Sequence, residues 1–150
     1  MYSFVLDVDG VLTDGTFLYS EDGKVLKKFG PHDSYMLNKV KNKLEISFIS
    51  ADHRGFEITS QRILDMGFKV QLVKENDRIE FIEKNYDYKN LIYMGDGDVD
   101  ANIISKAFIG IAPSNSRPTA LKSADYITEN KGGRGAVAEA IDYLLEKNIC

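Results

Sequence analysis

The sequence predicts an α/β protein with a Rossmann-like three-layer α/β/α architecture around a central parallel sheet. Three observations lead there. Short apolar runs of strand length alternate with longer segments of helical period, the pattern of a parallel sheet covered by helices on both faces. The first run, Tyr2-Ser3-Phe4-Val5-Leu6, stops on Asp7-Val8-Asp9-Gly10, which puts charge where open sheets of this kind bind ligands, off the carboxyl ends of the strands. One segment directly after that loop breaks the alternation and reads as a β-hairpin.

Taken in order, residues 2–6 form the first strand. Residues 16–19 and 24–29 flank Ser20-Glu21-Asp22-Gly23, and an Asp-Gly pair between strand-like segments is a hairpin signal. The hairpin follows the Asp7/Asp9 loop at once, so it is expected beside that loop as a flap. Met36, Leu37, Val40 and Leu44 share one helical face, and residues 45–49 read as the next strand. Phe56, Thr59, Ile63 and Met66 make a second helical stripe, closed by Gly67 as a C′ glycine. A strand over 69–73 precedes a third stripe, Ile79, Ile82 and Tyr86. Strands follow at 91–94, 108–111 and 126–128. Val137, Ala140, Ile141, Leu144 and Leu145 form the cleanest amphipathic stripe, at i, i+3, i+4, i+7 and i+8. No repeat, low-complexity tract or linker interrupts the chain, so residues 1–150 are expected to form one domain.

Composition narrows the function classes. With 150 residues the chain buries roughly two-thirds of its surface on folding, enough for a core without staples. The net charge of −4 disfavours a nucleic-acid partner, because a phosphate-tracking surface is basic. It also means that an anionic small substrate needs local cations or a metal. The lone cysteine, Cys150, excludes a disulfide framework and suits a reducing cytoplasm. No stretch approaches the length of a membrane span, and Met1 leads straight into the first strand, leaving no room for a signal peptide.

The acid pair asks for a cation. Alternation places Asp7 and Asp9 on the same side of an extended chain. Two anions that close raise each other's pKa unless a cation sits between them, and a hard divalent ion such as Mg²⁺ takes carboxylate oxygens. Two more polar signals stand at strand ends: Ser50, after Ile46-Ser47-Phe48-Ile49, and Gly95-Asp96-Gly97-Asp98-Val99-Asp100, after 91–94. An acid or serine after a strand is most often a cap or turn residue; three in succession point to one shared site.

Asp-x-Asp-Gly-Val-Leu-Thr-Asp-Gly, a strand-end Ser and Gly-Asp-x-x-x-Asp resemble the haloacid dehalogenase superfamily of phosphatases. Within it, Asp7 to Gly15, the hairpin, Phe29 with Asp33, Tyr93-Met94-Gly95-Asp96, Ala124-Asp125-Tyr126 and Gly132-Gly133-Arg134-Gly135 are similar to the branch acting on 3-deoxy-octulosonate 8-phosphate and related nonulosonate 9-phosphates. The resemblance implies Asp7 as nucleophile, forming an aspartyl-phosphate, and Asp9 as general acid and then base. It implies Mg²⁺ bound by Asp7, the backbone carbonyl of Asp9, and Asp96. Ser50 would hold a phosphoryl oxygen, with the backbone around Gly10 cradling the phosphate. Asp100 would orient the site and Asp98 cap the following helix. Substrate would meet Asp33, Ala51, Asp52, Arg54 and Arg134. The branch resembles tetramers in which hairpin and tail close a neighbour's site, and the chain is too short between these motifs for the cap domain of larger relatives.

Four positions depart from the family pattern, the first being His32, where an Arg is common before Asp33. Arg78 stands where a lysine pairs with the nucleophile, with Lys74 a nearby alternative; Gly97 replaces a second acid; and Asp52 occupies a position where octulosonate-acting relatives often carry Arg. Arginine is a wider, planar donor and not a neutral substitute for lysine. Two other readings therefore stay open. One is a catalytically weak or inactive assembly module, like the related domain of acylneuraminate cytidylyltransferases. The other is a receiver domain, which lacks support because no Asp follows the third strand with a matching Lys after the fifth.

Overall fold

The computed structural model describes residues 1–150. In chain order the elements are β1 (Tyr2–Asp7), β2 (Leu18–Ser20), β3 (Gly23–Leu26), α1 (Pro31–Val40), β4 (Leu44–Ser50), α2 (Phe56–Asp65), β5 (Val70–Leu72), α3 (Arg78–Asn85), β6 (Leu91–Met94), α4 (Asp100–Lys106), β7 (Ile109–Pro113), α5 (Pro118–Ser123), β8 (Tyr126–Thr128) and α6 (Ala136–Glu146). Six strands form one sheet in the order β5-β4-β1-β6-β7-β8, every neighbouring pair parallel. β2 and β3 form the separate antiparallel hairpin.

Side-chain alternation along the central strands decides what each face holds. On one face Phe4 and Leu6 of β1, Phe48 of β4, and Ile92 and Met94 of β6 pack with Leu37 of α1, Ile63 of α2 and Ile141 of α6. On the other, Val5, Ile49, Leu91 and Tyr93 pack with Ile82 of α3, Ile103 and Ile104 of α4, and Ala120 of α5. Each internal strand is thus apolar on both sides, as a parallel sheet between two helical layers requires. Asp7 shares the parity of Val5, so it leaves the sheet toward the α3/α4 face, where Tyr93 also points.

Most elements lie where the periodicity puts them, and the differences have local causes. Leu44 does not extend the first helical stripe. The helix stops at Val40, three turn residues follow, and Leu44 opens β4, buried at 1% exposure. Tyr86 follows α3 in extended conformation rather than continuing it. No stripe marks α4 or α5, because seven and six residues are too few to show a period. Gly67 closes α2 as expected: at φ +90° its N–H donates to Leu64 O (2.9 Å), and Phe68 N–H donates to Ile63 O (3.0 Å), the two bonds of a Schellman motif.

Asp33, expected at the substrate, is turned into the fold. It is 2% exposed, and its Oδ1 accepts the N–H of Ala138 at 2.9 Å in the first turn of α6. Burial pushes its pKa up, and the N–H groups of Ala138 and Val137 oppose that shift. It therefore supplies, from α1, the capping acceptor that α6 lacks at Gly135. Asp33→Ala is expected to lower the unfolding free energy by about 1–2 kcal/mol, read from the urea midpoint; an unchanged midpoint removes this cap from the account.

Candidate active site

The polar strand ends converge on one cleft of about 400 Å³, with Asp7, Asp9, Ala51, Asp52, Arg78 and Asp96 among its walls. The loop after β1 is shaped from within. Val8, Val11 and Leu12 are buried apolar anchors, and the N–H groups of Val11 and Leu12 donate to Val8 O at 3.1 and 2.8 Å. Thr13 Oγ1, fully buried, accepts the N–H of Gly10 and of Gly15, each at 3.2 Å. The Gly10 N–H is therefore engaged inside the loop rather than turned toward a ligand. What Gly10 provides is space: it has φ +84°, and a Cβ there would lie 1.8 Å from Asp96 Oδ2. No other residue lets the β1 loop and the β6 loop approach so closely.

The α3/α4 face supplies the charge that meets Asp7. Arg78 opens α3, is 3% exposed, and places Nη1 3.1 Å from Asp7 Oδ2 and 2.9 Å from Asp100 Oδ1. Arg78, not Lys74, is thus the cation at Asp7; Lys74 lines a separate groove with Leu72 and Phe81. Asp100, the first residue of α4, is saturated. Its Oδ1 accepts Tyr93 Oη at 2.5 Å and Arg78, while Oδ2 accepts the N–H of Asp96 at 3.1 Å and of Gly97 at 2.8 Å. It holds both the arginine and the Asp96 loop in place. Asp98 does not cap α4; it accepts Thr119 Oγ1 at 2.5 Å and lies 3.5 Å from Arg117 Nε, tying the loop to α5.

Asp7, Asp96 and Asp100 bring carboxylate oxygens within 4.8 Å of one another. One arginine faces three acids, and burial together with their mutual repulsion raises two of them. Burial raises Asp7 well above the carboxylate range; Arg78 opposes this, and Asp100 and Asp96 add to it. Burial, then the charge of Asp100, pushes Asp96 up to about 7. Burial works against the charge on Arg78, but Asp7 and Asp100 outweigh it, so Arg78 stays protonated. Oxygen-only donors with surplus negative charge are what a hard divalent cation takes.

Ser50 ends β4 with its Oγ 3.2 Å from the Asp52 N–H it accepts. It is not the cap of α2, which begins at Phe56 after Gly55. Asp52 binds the hairpin: Lys24 Nζ stands 2.7 Å from Oδ1 and Lys27 Nζ 2.8 Å from Oδ2. Burial would raise its pKa, yet the two lysines outweigh burial and hold it at about 2. Arg54 is exposed, in a neighbouring hollow with Tyr19 and Lys24. Arg134 is exposed too and lines a separate polar cavity with Asp14, Asn115 and Lys131. Its loop packs on its own chain: Gly132 N–H donates to Asn115 Oδ1 at 2.7 Å, Asn115 Nδ2 donates to Gly10 O at 3.0 Å, and a Cβ on Gly132 would meet Gly10 O and Thr13 O at 2.3 Å.

Three contributors were not read from the sequence. Lys27 and Thr59 come to the site only through contacts 18 and 32 residues apart. Tyr93 did leave a signal, a hydroxyl inside the apolar run Leu91-Ile92-Tyr93-Met94, since a buried phenol needs a partner.

A fold and a site of this kind define a hydrolase of the haloacid dehalogenase type. Residues 39–141 match the haloacid dehalogenase-like hydrolase family model, and the chain belongs to that family. It is 30% identical over 147 residues to the 3-deoxy-D-manno-octulosonate 8-phosphate phosphatase of Escherichia coli K12, covering 94% of this chain and 77% of the relative. The Moraxella catarrhalis phosphatase of the same name, solved with magnesium, phosphate and KDO, superposes with a TM-score of 0.84 at 25% identity, over 97% of this chain and 86% of that one. A probable YrbI family phosphatase from Pseudomonas syringae gives 0.87 at 27% identity, over 97% and 85%. The chain is accordingly a phosphoric monoester hydrolase.

The raised acids set a pH dependence. Native Asp96 holds its proton up to about 7, whereas an unfolded aspartate releases it near the ordinary value of 3.8. Between those values the native state binds more protons, so this cluster loses stability as pH rises toward 7, and Asp7 acts in the same direction. Divalent cation reverses the loss by binding the deprotonated acids. The rise in Tm on adding Mg²⁺ is therefore expected to be larger at pH 8 than at pH 5.5; an equal rise at both shows that the ion binds elsewhere.

Proposed function

We propose that residues 1–150 form one catalytic domain, a Mg²⁺-dependent phosphatase that hydrolyses the phosphate monoester of a keto-deoxy sugar acid. The substrate is an octulosonate 8-phosphate or a nonulosonate 9-phosphate. The observation that carries this is the buried Asp7–Arg78 pair set against Asp96 at the carboxyl ends of β1 and β6. Asp7 attacks phosphorus and becomes an aspartyl-phosphate, which water then hydrolyses. Asp9, two residues on and in the same cleft, gives its proton to the leaving alkoxide and afterwards takes one from the attacking water. Arg78 neutralises phosphoryl oxygens beside the nucleophile. Ser50 donates its hydroxyl hydrogen to a phosphoryl oxygen while its lone pair holds the Asp52 N–H. Asp7, Asp96 and the Asp9 carbonyl hold the Mg²⁺, which when bound screens the repulsion between nucleophile and phosphate.

Nothing in one chain covers the cleft, and the hairpin beside it is unusually apolar outside. Phe17, Leu18, Val25 and Leu26 are 42–64% exposed. An apolar hairpin rarely stands alone in water. In our reading it is buried in a homotetramer, where hairpin and Arg134 loop reach a neighbour's site and Arg134 supports binding of the substrate carboxylate. No helix is long and apolar enough to cross a membrane, and a cytoplasmic location suits the free Cys150.

A panel of sugar phosphates, including both classes, is expected to show Mg²⁺-dependent release of phosphate that EDTA stops. Asp7→Asn removes it, with a loss of at least about 10³-fold, and leaves the circular dichroism spectrum unchanged. No turnover on any ester would leave the chain as an assembly module. Sedimentation is expected to report a tetramer, and Leu18→Glu with Leu26→Glu to dissociate it; a wild-type monomer refutes the assembly.

A further inference from the structure

The hairpin carries a lysine to which the roles above give no task. Lys27 follows β3, and its side chain is 0% exposed. Its ammonium lies 2.9 Å from Asp9 Oδ1 and 3.1 Å from Oδ2, 2.8 Å from Asp52 Oδ2 and 2.9 Å from Thr59 Oγ1. Hydrogen bonds to Asp9 and Thr59 and an ion pair with Asp52 thus tie the ammonium to three parts of the chain: the β1 loop, α2 and the β4–α2 loop. A buried ammonium tolerates no less, because an unmatched donor in the interior is costly. The braces are firm. Thr59 is fully buried, and Asp52 is further held by Lys24 and by the Gly55 N–H at 3.2 Å. Gly55 leaves the room this needs: a Cβ there would lie 2.4 Å from Asp52 Oδ2 and 2.9 Å from Lys27 Cε.

Asp9 has the opposite character. It lies in the loop beyond β1, its side chain is 29% exposed, and Lys27 is the only group that hydrogen-bonds its carboxylate. Asp7, in contrast, is fixed by Arg78 and by the Val8 N–H at 2.8 Å. We propose that Lys27 is the positioning residue for Asp9: the hairpin-borne ammonium, braced by Asp52 and Thr59, aims the Asp9 carboxyl into the cleft for proton transfer. This rests on the reading of Asp9 as proton donor. In that step the P–O ester bond breaks, the proton of the Asp9 carboxyl passes to the ester oxygen, the alcohol leaves, and Asp9 remains as a carboxylate facing Lys27. Asp52 then has a task that explains its place in the sequence. It braces the lysine and does not read the substrate.

The prediction separates esters by leaving group. An alkyl leaving group needs a proton from Asp9; p-nitrophenolate departs without one. The panel's best-hydrolysed sugar phosphate and p-nitrophenyl phosphate are compared by kcat/KM in the full-length protein with saturating Mg²⁺. Lys27→Met is expected to lose about tenfold or more on the sugar phosphate and no more than about threefold on the aryl ester. Thr59→Val and Asp52→Asn shift the ratio in the same direction by less, and carry the comparison if Lys27→Met does not fold. Equal losses on both esters, or none, overturn the proposal. Asp9→Asn is measured alongside. Leaving-group bias there but not in the brace variants refutes Lys27 alone, whereas no bias in Asp9→Asn refutes the proton-donor reading itself.

Discussion

Uncompensated negative charge at the end of β1 is the constraint around which the rest of this molecule is arranged. Three carboxylates, Asp7, Asp96 and Asp100, sit at the top of a sheet whose interior is largely apolar. Such a cluster persists only where donors and cations are brought to it. The fold brings them from every side: Arg78 from the start of α3, the Tyr93 hydroxyl from within β6, the Asp96 and Gly97 N–H groups from the loop before α4. Even so, one arginine faces three acids, and burial first, then the neighbouring carboxylates, raises Asp7 and Asp96. A site that stores charge in this way is ready for a divalent ion, which balances it.

The exchange of lysine for arginine at position 78 makes sense within this arrangement. The guanidinium lies between Asp7 and Asp100 and touches both through Nη1, with Nη2 3.5 Å from Asp7 Oδ1. Its planar shape needs an acceptor on each side, and the saturated Asp100 is held in place to be one of them. The charge opposite Asp7 is preserved, so the departure from the family pattern does not empty the site.

A second ionic group stands at the mouth of the cleft. Lys24 and Lys27 from the hairpin, Asp52 from the β4–α2 loop and Asp9 from the β1 loop form a continuous chain of opposite charges. It fastens the hairpin to the loops that border the cleft. The two groups differ in what they do: the inner one concentrates charge for chemistry, and the outer one matches acid with base and so gives rigidity.

Much of this was readable in the amino-acid order. Short apolar runs, helical stripes, Gly67 and the hairpin are local signals, because strands, helices and turns are set by near neighbours. The acids at strand ends were legible for a related reason: nothing else explains carboxylates next to an all-apolar run. What failed to show was the pairing of side chains distant in sequence. Asp33 was expected at the substrate, and the structure shows it accepting from the first turn of α6, 105 residues away. Asp52, expected at the substrate, is held by two hairpin lysines, and Gly132 packs its backbone against Gly10 and Thr13. By itself the sequence determined the layers, the cleft's location and the acids that line it. Only the tertiary structure decided which cation meets which acid, since a charge chooses its partner by distance in space.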